Sequence, residues 1–194
     1  MNHLKKGIRV IGFDDGPFKH RQKEDALLVG VMIRAKEYVD GVVSANIEVD
    51  GLDVTEKIIS LVNRPKYINQ VQVVFLNSIA FAGFNVADIQ KINDETGRPV
   101  IAVVRKKPDT DKFRKAAAKL PDYERRLKII ERAGEVKIAD VDGKTLYFQS
   151  AGITDEDAVM MLKKTRKRSA IPEAVRIAHI IASGIVDGES RGGA

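Results

Sequence analysis

The residues best suited to chemistry in this chain are carboxylates placed at the ends of apolar segments. Asp14 and Asp15 close the run at 7–13, Gly-Ile-Arg-Val-Ile-Gly-Phe. That run reads as a buried strand, and the C-terminal edge of a central strand is a common seat for a metal-binding carboxylate. The string Asp14-Asp15-Gly16-Pro17 also reads as a plain turn, because each of its residue types favours one. Asp50 and Asp53 bracket Gly51-Leu52 between a strand at 42–49 and a helix. Asp53 is a natural N-cap. Alternatively, strand pairing brings a second carboxylate beside the first. Mg²⁺ is typically held by one or two carboxylates, completed by phosphate and water.

Other polar residues sit at comparable junctions. Asn77-Ser78 follows a short buried strand at 71–76, and Gly83 then leads to Asn85, a candidate cap for a helix running to about Glu95. A helix N-terminus there offers N–H groups to a phosphate; ordinary strand-to-helix punctuation accounts for the same residues. His179 shares a helix with Glu173 and Arg176 at i, i+3 and i+6, but its Ala-His-Ile-Ile-Ala setting favours a packed histidine over a catalytic one. His20 follows the Asp-Asp turn by five residues, in a polar loop. With no Cys and three His, thiolate chemistry and a structural zinc site have no support. A phosphate loop and a nucleophile elbow are also missing.

Charge points toward an anionic partner. Lys+Arg number 33 against 27 Asp+Glu, a net charge of +6. Basic residues gather at Arg105-Lys106-Lys107 and at Lys163, Lys164, Arg166, Lys167 and Arg168. Such clusters are either solvated surface or a seat for a polyanion. No apolar run reaches the ~18 residues of a membrane span, and the N-terminus lacks a signal-peptide core. A cytoplasmic protein without a membrane partner is expected.

The elements that must position these residues follow from periodicity. Apolar runs at 7–13, 26–35 and 42–49 predict an antiparallel meander, with Asp40-Gly41 as the second turn. Beyond Asp53, helix, strand, helix and strand alternate, which implies parallel right-handed crossovers. Gly97 is a left-handed helix stop. Residues 110–133 read as helix broken near Pro121, and 135–148 as a hairpin around Asp142-Gly143. Thr154 caps a basic helix, and Pro172 opens a last helix ending near Gly184 or Gly188. The expected fold is α/β: a ribonuclease H-like mixed sheet, an antiparallel meander followed by parallel strands, with helices on both faces. One domain spanning 1–194 is expected, with a frayed tail at 188–194.

Four segments together carry a family resemblance: Gly12-Phe13-Asp14-Asp15-Gly16-Pro17-Phe18, Asp50-Gly51-Leu52-Asp53-Val54-Thr55, Phe81-Ala82-Gly83-Phe84-Asn85-Val86-Ala87-Asp88, and Ile171-Pro172-Glu173-Ala174-Val175-Arg176-Ile177-Ala178-His179. Over nearly its whole length the chain resembles the archaeal DUF99, or endonuclease dU, family, which is similar to endonuclease V. The resemblance implies metal-dependent cleavage of nucleic acid, chiefly DNA, near a deaminated base such as deoxyuridine or inosine, and hence a role in DNA repair. It implies Mg²⁺, with Mn²⁺ as an alternative, held by acids that polarise the phosphate and generate hydroxide. Asp14 matches the first acid, with Asp15 beside it. Asp50 and Asp53 fall at the second, Asp53 being preferred. At the third, endonuclease V has Asp-Gly where this chain has Asn77-Ser78. An amide oxygen can ligate Mg²⁺ but brings no negative charge, and Asp88 lies downstream as a possible substitute. Arg105 falls where endonuclease V places a Lys and can hold a phosphate bidentately, with the cluster at Lys163, Lys164, Arg166, Lys167 and Arg168 along the backbone. Phe18, Phe81 or Phe84 can wall a pocket for an extruded base. Because of Asn77, the alternative is a nucleic-acid-binding protein on the same fold with catalysis lost. A third reading is a small-molecule or protein-binding domain.

Overall fold

The computed structural model describes residues 7–18, 25–34, 36–64, 66 and 69–190. His3, His20 and residues 191–194 of the tail lie outside the described residues. Strands β1 (Arg9–Asp15), β2 (Asp25–Arg34) and β3 (Tyr38–Glu48) form the antiparallel meander. Its second turn lies between Arg34 and Tyr38, where Glu37 N–H donates to Arg34 O, and not at Asp40-Gly41. Asp40 sits inside β3, which slips past β2 through an irregularity at Met32/Ile33. There it serves as an anion: it accepts from Arg9 of β1 at 2.8 Å and pairs with Arg34 of β2 at 3.3 Å. The two guanidiniums hold its carboxyl below the usual range, Arg9 most strongly.

Helix α1 (Val54–Val62) leads to β4 (Val73–Asn77), which pairs parallel with β1. A two-residue hairpin follows, β5 (Ala80–Phe81) and β6 (Asn85–Val86). Helix α2 (Ile89–Thr96) therefore starts later than the sequence predicts. Its cap is Asp88, whose side chain accepts from Lys91 N–H at 3.0 Å, and not Asn85. Gly97 ends it at φ 64, as expected. Strand β7 (Val100–Val104) pairs parallel with β4. Two short helices, α3 (Thr110–Ala117) and α4 (Tyr123–Arg132), flank Pro121. The hairpin β8 (Lys137–Asp140) and β9 (Thr145–Ala151) completes the sheet, β9 antiparallel to β7. Helix α5 (Asp155–Thr165) is capped by Thr154, and α6 (Glu173–Asp187) runs through Gly184 to stop at Gly188.

Seven of these strands form the main sheet in the order β3-β2-β1-β4-β7-β9-β8, and β5 and β6 pair apart from it. Alternation along the strands separates two cores. Ile11, Phe13, Val74, Leu76 and Ala102 pack with α1 and α2 on one face. Val10, Phe75, Ile101 and Val103 pack with α5 and α6 on the other. Among the described residues no helix is long and apolar enough to cross a membrane.

Candidate active site at the strand ends

Helix α6 lies unusually close to β1. Ala174, Ala178 and Ala182, spaced by four, are fully buried and form its inward stripe. Opposite them β1 has Gly12, where a Cβ would stand 2.5 Å from Val175 N and 2.6 Å from the Ala174 carbonyl carbon. The close approach brings His179, at the border of the stripe, over the end of β1. Its Nδ1 lies 2.9 Å from Asp14 Oδ2. The Asp14 side chain is 4% exposed and that of His179 25%.

The parallel register of β1 and β4 pairs Phe13 with Leu76, so Asn77 is the next neighbour of Asp14 on the same face. Asn77 Nδ2 donates to Asp14 Oδ1 at 2.9 Å, and Asp15 N–H donates to the same oxygen at 3.0 Å. Asp14 is thus held by an amide, a backbone N–H and an imidazole. With Nδ1 facing a carboxylate, the imidazole is oriented as in a proton-transferring pair.

Asp15 points to the opposite face, as its place in the strand requires. Its Oδ2 accepts from Ala82 N–H at 2.9 Å. Burial, and then the neighbouring Asp14 charge, push its carboxyl up to about 7. Residues 82–84, which join β5 to β6, also hold the second acidic segment. Asp50 N–H donates to Ala82 O at 2.9 Å, and Phe84 N–H donates to Asp50 Oδ1 at 2.9 Å. Gly83 makes room for that carboxylate: at φ +85, a Cβ there would stand 2.3 Å from Asp50 Oδ1. Three non-glycine residues of this region have positive φ, Asp50 at 56°, Ser78 at 86° and Ala82 at 39°. Backbone strain of this kind collects at functional sites.

Asp53 is oriented differently. It occupies the N-cap position of α1 without a capping bond. Its Oδ1 accepts from Asn85 Nδ2 at 2.7 Å and from Glu48 N–H at 3.2 Å. Asn85, fully buried, in turn accepts from Val54 N–H at 3.1 Å. Asp53 therefore braces the β3–α1 turn, while Asp50 faces the same turn as Asp15. Asp88 is committed to its cap and to Arg132, at 2.9 Å. Among the described residues no three His, Asp or Glu side chains gather tightly enough to enclose a metal ion.

Beside Ser78 a cleft of about 550 Å³ opens between the sheet and the α3–α4 pair, lined by Ile79, Phe113, Ile130, Tyr147 and Phe148 among others. Of the aromatic residues the sequence offered as a wall, Phe81 is core, at 1% exposed. Phe84 packs against Phe113, with ring centroids 4.9 Å apart and the rings tilted by 43°. The basic clusters share the edge of the sheet with the acids. Arg105 directly follows β7. Because β9 runs antiparallel to β7, the β8–β9 turn lies at that same edge, and there Asp142 pairs with Arg166.

The model of the endonuclease dU family matches residues 6–186. The chain belongs to this family. A UPF0215 protein of Methanothermobacter thermautotrophicus is 45% identical over 195 residues, covering 100% of this chain and 95% of the relative. One from Pyrococcus horikoshii is 44% identical over 193 residues, covering 98% of each. A crystal structure of a protein of unknown function from Archaeoglobus fulgidus superposes with a TM-score of 0.83 at 39% identity, covering 92% of this chain and 98% of that one. Endonuclease V of Ciona intestinalis, solved with a 24mer DNA containing an inosine, superposes at a TM-score of 0.58 and 17% identity, over 90% of this chain and 84% of that one. This endonuclease dU family member has the ribonuclease H-like fold that the order of its elements predicts.

His179 is the site residue that sequence reasoning set aside. Its signal was the alanine stripe at 174, 178 and 182, which leaves position 179 at the edge of the buried face.

Proposed function

We propose that this endonuclease dU family member is a metal-dependent endonuclease acting on deaminated or damaged DNA. The observation that carries the reading is Asp14, fixed between Asn77 and His179 at the strand ends. It is joined there by the family membership and by the inosine-containing DNA bound to a protein of the same fold.

The residues fit a lightly held ion. Asp14 and Asp15 are adjacent carboxylates whose mutual repulsion helps raise Asp15 to about 7. One or two carboxylates suffice for Mg²⁺ when substrate phosphate and water fill the other positions. Asp14 would hold Mg²⁺ or Mn²⁺ at the strand end, with substrate phosphate and water completing the shell, while Asp15 and Asp50, on the opposite face at the 82–84 turn, would add negative charge nearby. Such an ion polarises a phosphate and eases deprotonation of water. Asp53 serves this site by bracing the turn that carries Asp50. His179 Nε2 accepts or returns a proton, and Asp14 keeps the ring in the right tautomer. Arg105 and the exposed Lys163, Lys164, Lys167 and Arg168 draw the DNA backbone to the sheet edge. The cleft beside Ser78 is large enough for a base turned out of the stack, with Phe113 and Tyr147 to pack against its faces.

Asn77 favours a second reading, a nucleic-acid-binding protein whose catalysis has been lost. An amide donates to Asp14 at this point and brings no negative charge of its own. One experiment separates the two. Labelled single- and double-stranded oligonucleotides carrying deoxyuridine or deoxyinosine are incubated with Mg²⁺, Mn²⁺ or EDTA, with Asp14→Ala and Asn77→Asp run alongside. Metal-dependent nicking that disappears in Asp14→Ala is expected. Cleavage by Asn77→Asp alone would establish a degenerate site. Binding without cleavage by either protein would favour the binding-only reading, and absence of binding would end the nucleic-acid reading.

A further inference from the structure

Helix α4 turns an arginine inward where an aliphatic side chain would be ordinary. Its buried positions are Arg126 and Ile130, and Arg126 is 2% exposed. Burial lowers the pKa of its guanidinium, and the nearby Asp50 charge offsets this in part. The guanidinium is not spent on a surface ion pair. Nη1 donates to Gly51 O at 2.7 Å and to Phe84 O, and Nη2 donates to Asp50 O. One planar fork thus ties together two turns far apart in sequence, the one carrying Asp50 and the one at 82–84. A lysine cannot reproduce this, since it presents a compact charge and not a planar fork.

The connection continues in both directions. Toward the acids, Phe84 N–H holds the Asp50 carboxylate, and Ala82 N–H holds that of Asp15. Toward the cleft, Ile130 lies one helical turn after Arg126 and lines the wall. Phe113 of α3, another lining residue, packs its tilted ring against Phe84. The helices that cover the cleft and the backbone that aims two carboxylates therefore meet at Phe84.

We propose that Arg126 is a positioning residue that couples the cleft wall to the acidic turn, so that the placement of α4 sets the orientation of Asp50 and, through Ala82, of Asp15. This rests on the reading of those carboxylates as the active site, but its structural part can be measured without cleavage. Amide hydrogen exchange at Asp50, Ala82 and Phe84 is followed in the natural protein, in Arg126→Met, Arg126→Lys and Ile130→Ala, and in Arg126→Met/Ile130→Ala. Phe75, in the middle of the sheet, is the control. Arg126→Met is expected to speed exchange at the three amides by about tenfold, the factor for loss of a charge-assisted hydrogen bond, and to leave Phe75 unchanged. Arg126→Lys, which keeps the charge, is expected to fall between, and it carries the test if the methionine variant does not fold. Ile130→Ala should speed the same amides in the natural background and add nothing in Arg126→Met. Unchanged exchange in either Arg126 variant, or independent additive effects of the two sites, overturns the coupling. In the cleavage assay, kcat should fall by about 10- to 100-fold in Arg126→Lys with KM nearly unchanged, as misplacement by about an ångström costs. A rise in KM alone would assign Arg126 to substrate binding. If no cleavage occurs in the natural protein, the nuclease reading fails and the exchange data still decide the coupling.

Discussion

Asp15 carries a pH signature that a surface carboxylate would lack. Folded, it releases its proton at about 7, against an ordinary value of 3.8. Below about pH 4 both the folded and the unfolded chain hold the proton, so stability is unaffected. Between about 4 and 7 the unfolded chain has lost it and the folded chain keeps it. Stability therefore falls as pH rises, by up to about 1.4 kcal/mol per pH unit, and levels off above 7. Asp15→Asn removes the titration while leaving an oxygen to accept from Ala82 N–H. Thermal unfolding from pH 4 to 8 should show the natural protein losing stability relative to this variant across that window. Parallel curves would show that Asp15 ionises normally. The neighbouring Asp14 contributes to this behaviour as a second negative charge at the strand end, in keeping with a site that accepts a cation.

At the level of elements, the site depends on how closely α6 can approach β1. Gly12 faces α6 backbone, with a Cβ position 2.5 Å from Val175 N, whereas at Gly16 the nearest atom is the side-chain Val186 Cγ2 at 3.0 Å and the α6 backbone, Ala182 O, stands farther off at 3.2 Å. Backbone cannot turn aside as a side chain can. Gly12→Ala should push α6 off the strand, cost about 2–3 kcal/mol, and lower the Tm by about 5–10 °C. Gly16→Ala should cost clearly less. Thermal unfolding of the pair tests this, and equal losses would contradict it. This dependence also explains what the sequence showed and what it hid. Apolar periodicity and punctuation were enough to place the meander, the parallel crossovers, the break near Pro121, the Gly97 stop and the Thr154 cap, because these are local signals. Asp40-Gly41 looked like a turn because both residues tolerate positive φ. It is strand because Arg9 and Arg34 give Asp40 two cationic partners across the sheet. Asn85 looked like a helix cap, but it is the buried anchor between Asp53 and Val54 N–H. Asp50 and Asp53 fall at the same junction, and the preference for Asp53 had no access to what separates them, which is the partner each side chain finds across the β5–β6 turn. That hairpin is two residues per strand, too short to leave a period.

For the whole molecule, topology places the positive charge. Parallel β1, β4 and β7 all end at the edge of the sheet that carries Asp14, Asp15 and Asn77, and the β8–β9 turn ends there too. Helix α5 reaches this edge with Arg166 paired to Asp142, and with Lys163, Lys164, Lys167 and Arg168 exposed around it. The net charge of +6 is thus partly gathered where a phosphate backbone would have to lie. Each phosphate neutralised on a single strand releases counterions and adds about −0.7 to the slope of log affinity against log salt. Lys163→Ala/Lys164→Ala should therefore weaken binding to an undamaged oligothymidine and flatten that slope by about 1.4 if both lysines meet phosphates. The loss should be equal for damaged and undamaged strands, because phosphate contacts carry no base information. Arg166→Ala should change the slope less, since Asp142 already neutralises that side chain. A titration from 50 to 300 mM salt distinguishes these outcomes. A slope unchanged in the double variant would mean that the cluster is solvated surface and that DNA approaches the acids from the Arg105 side alone.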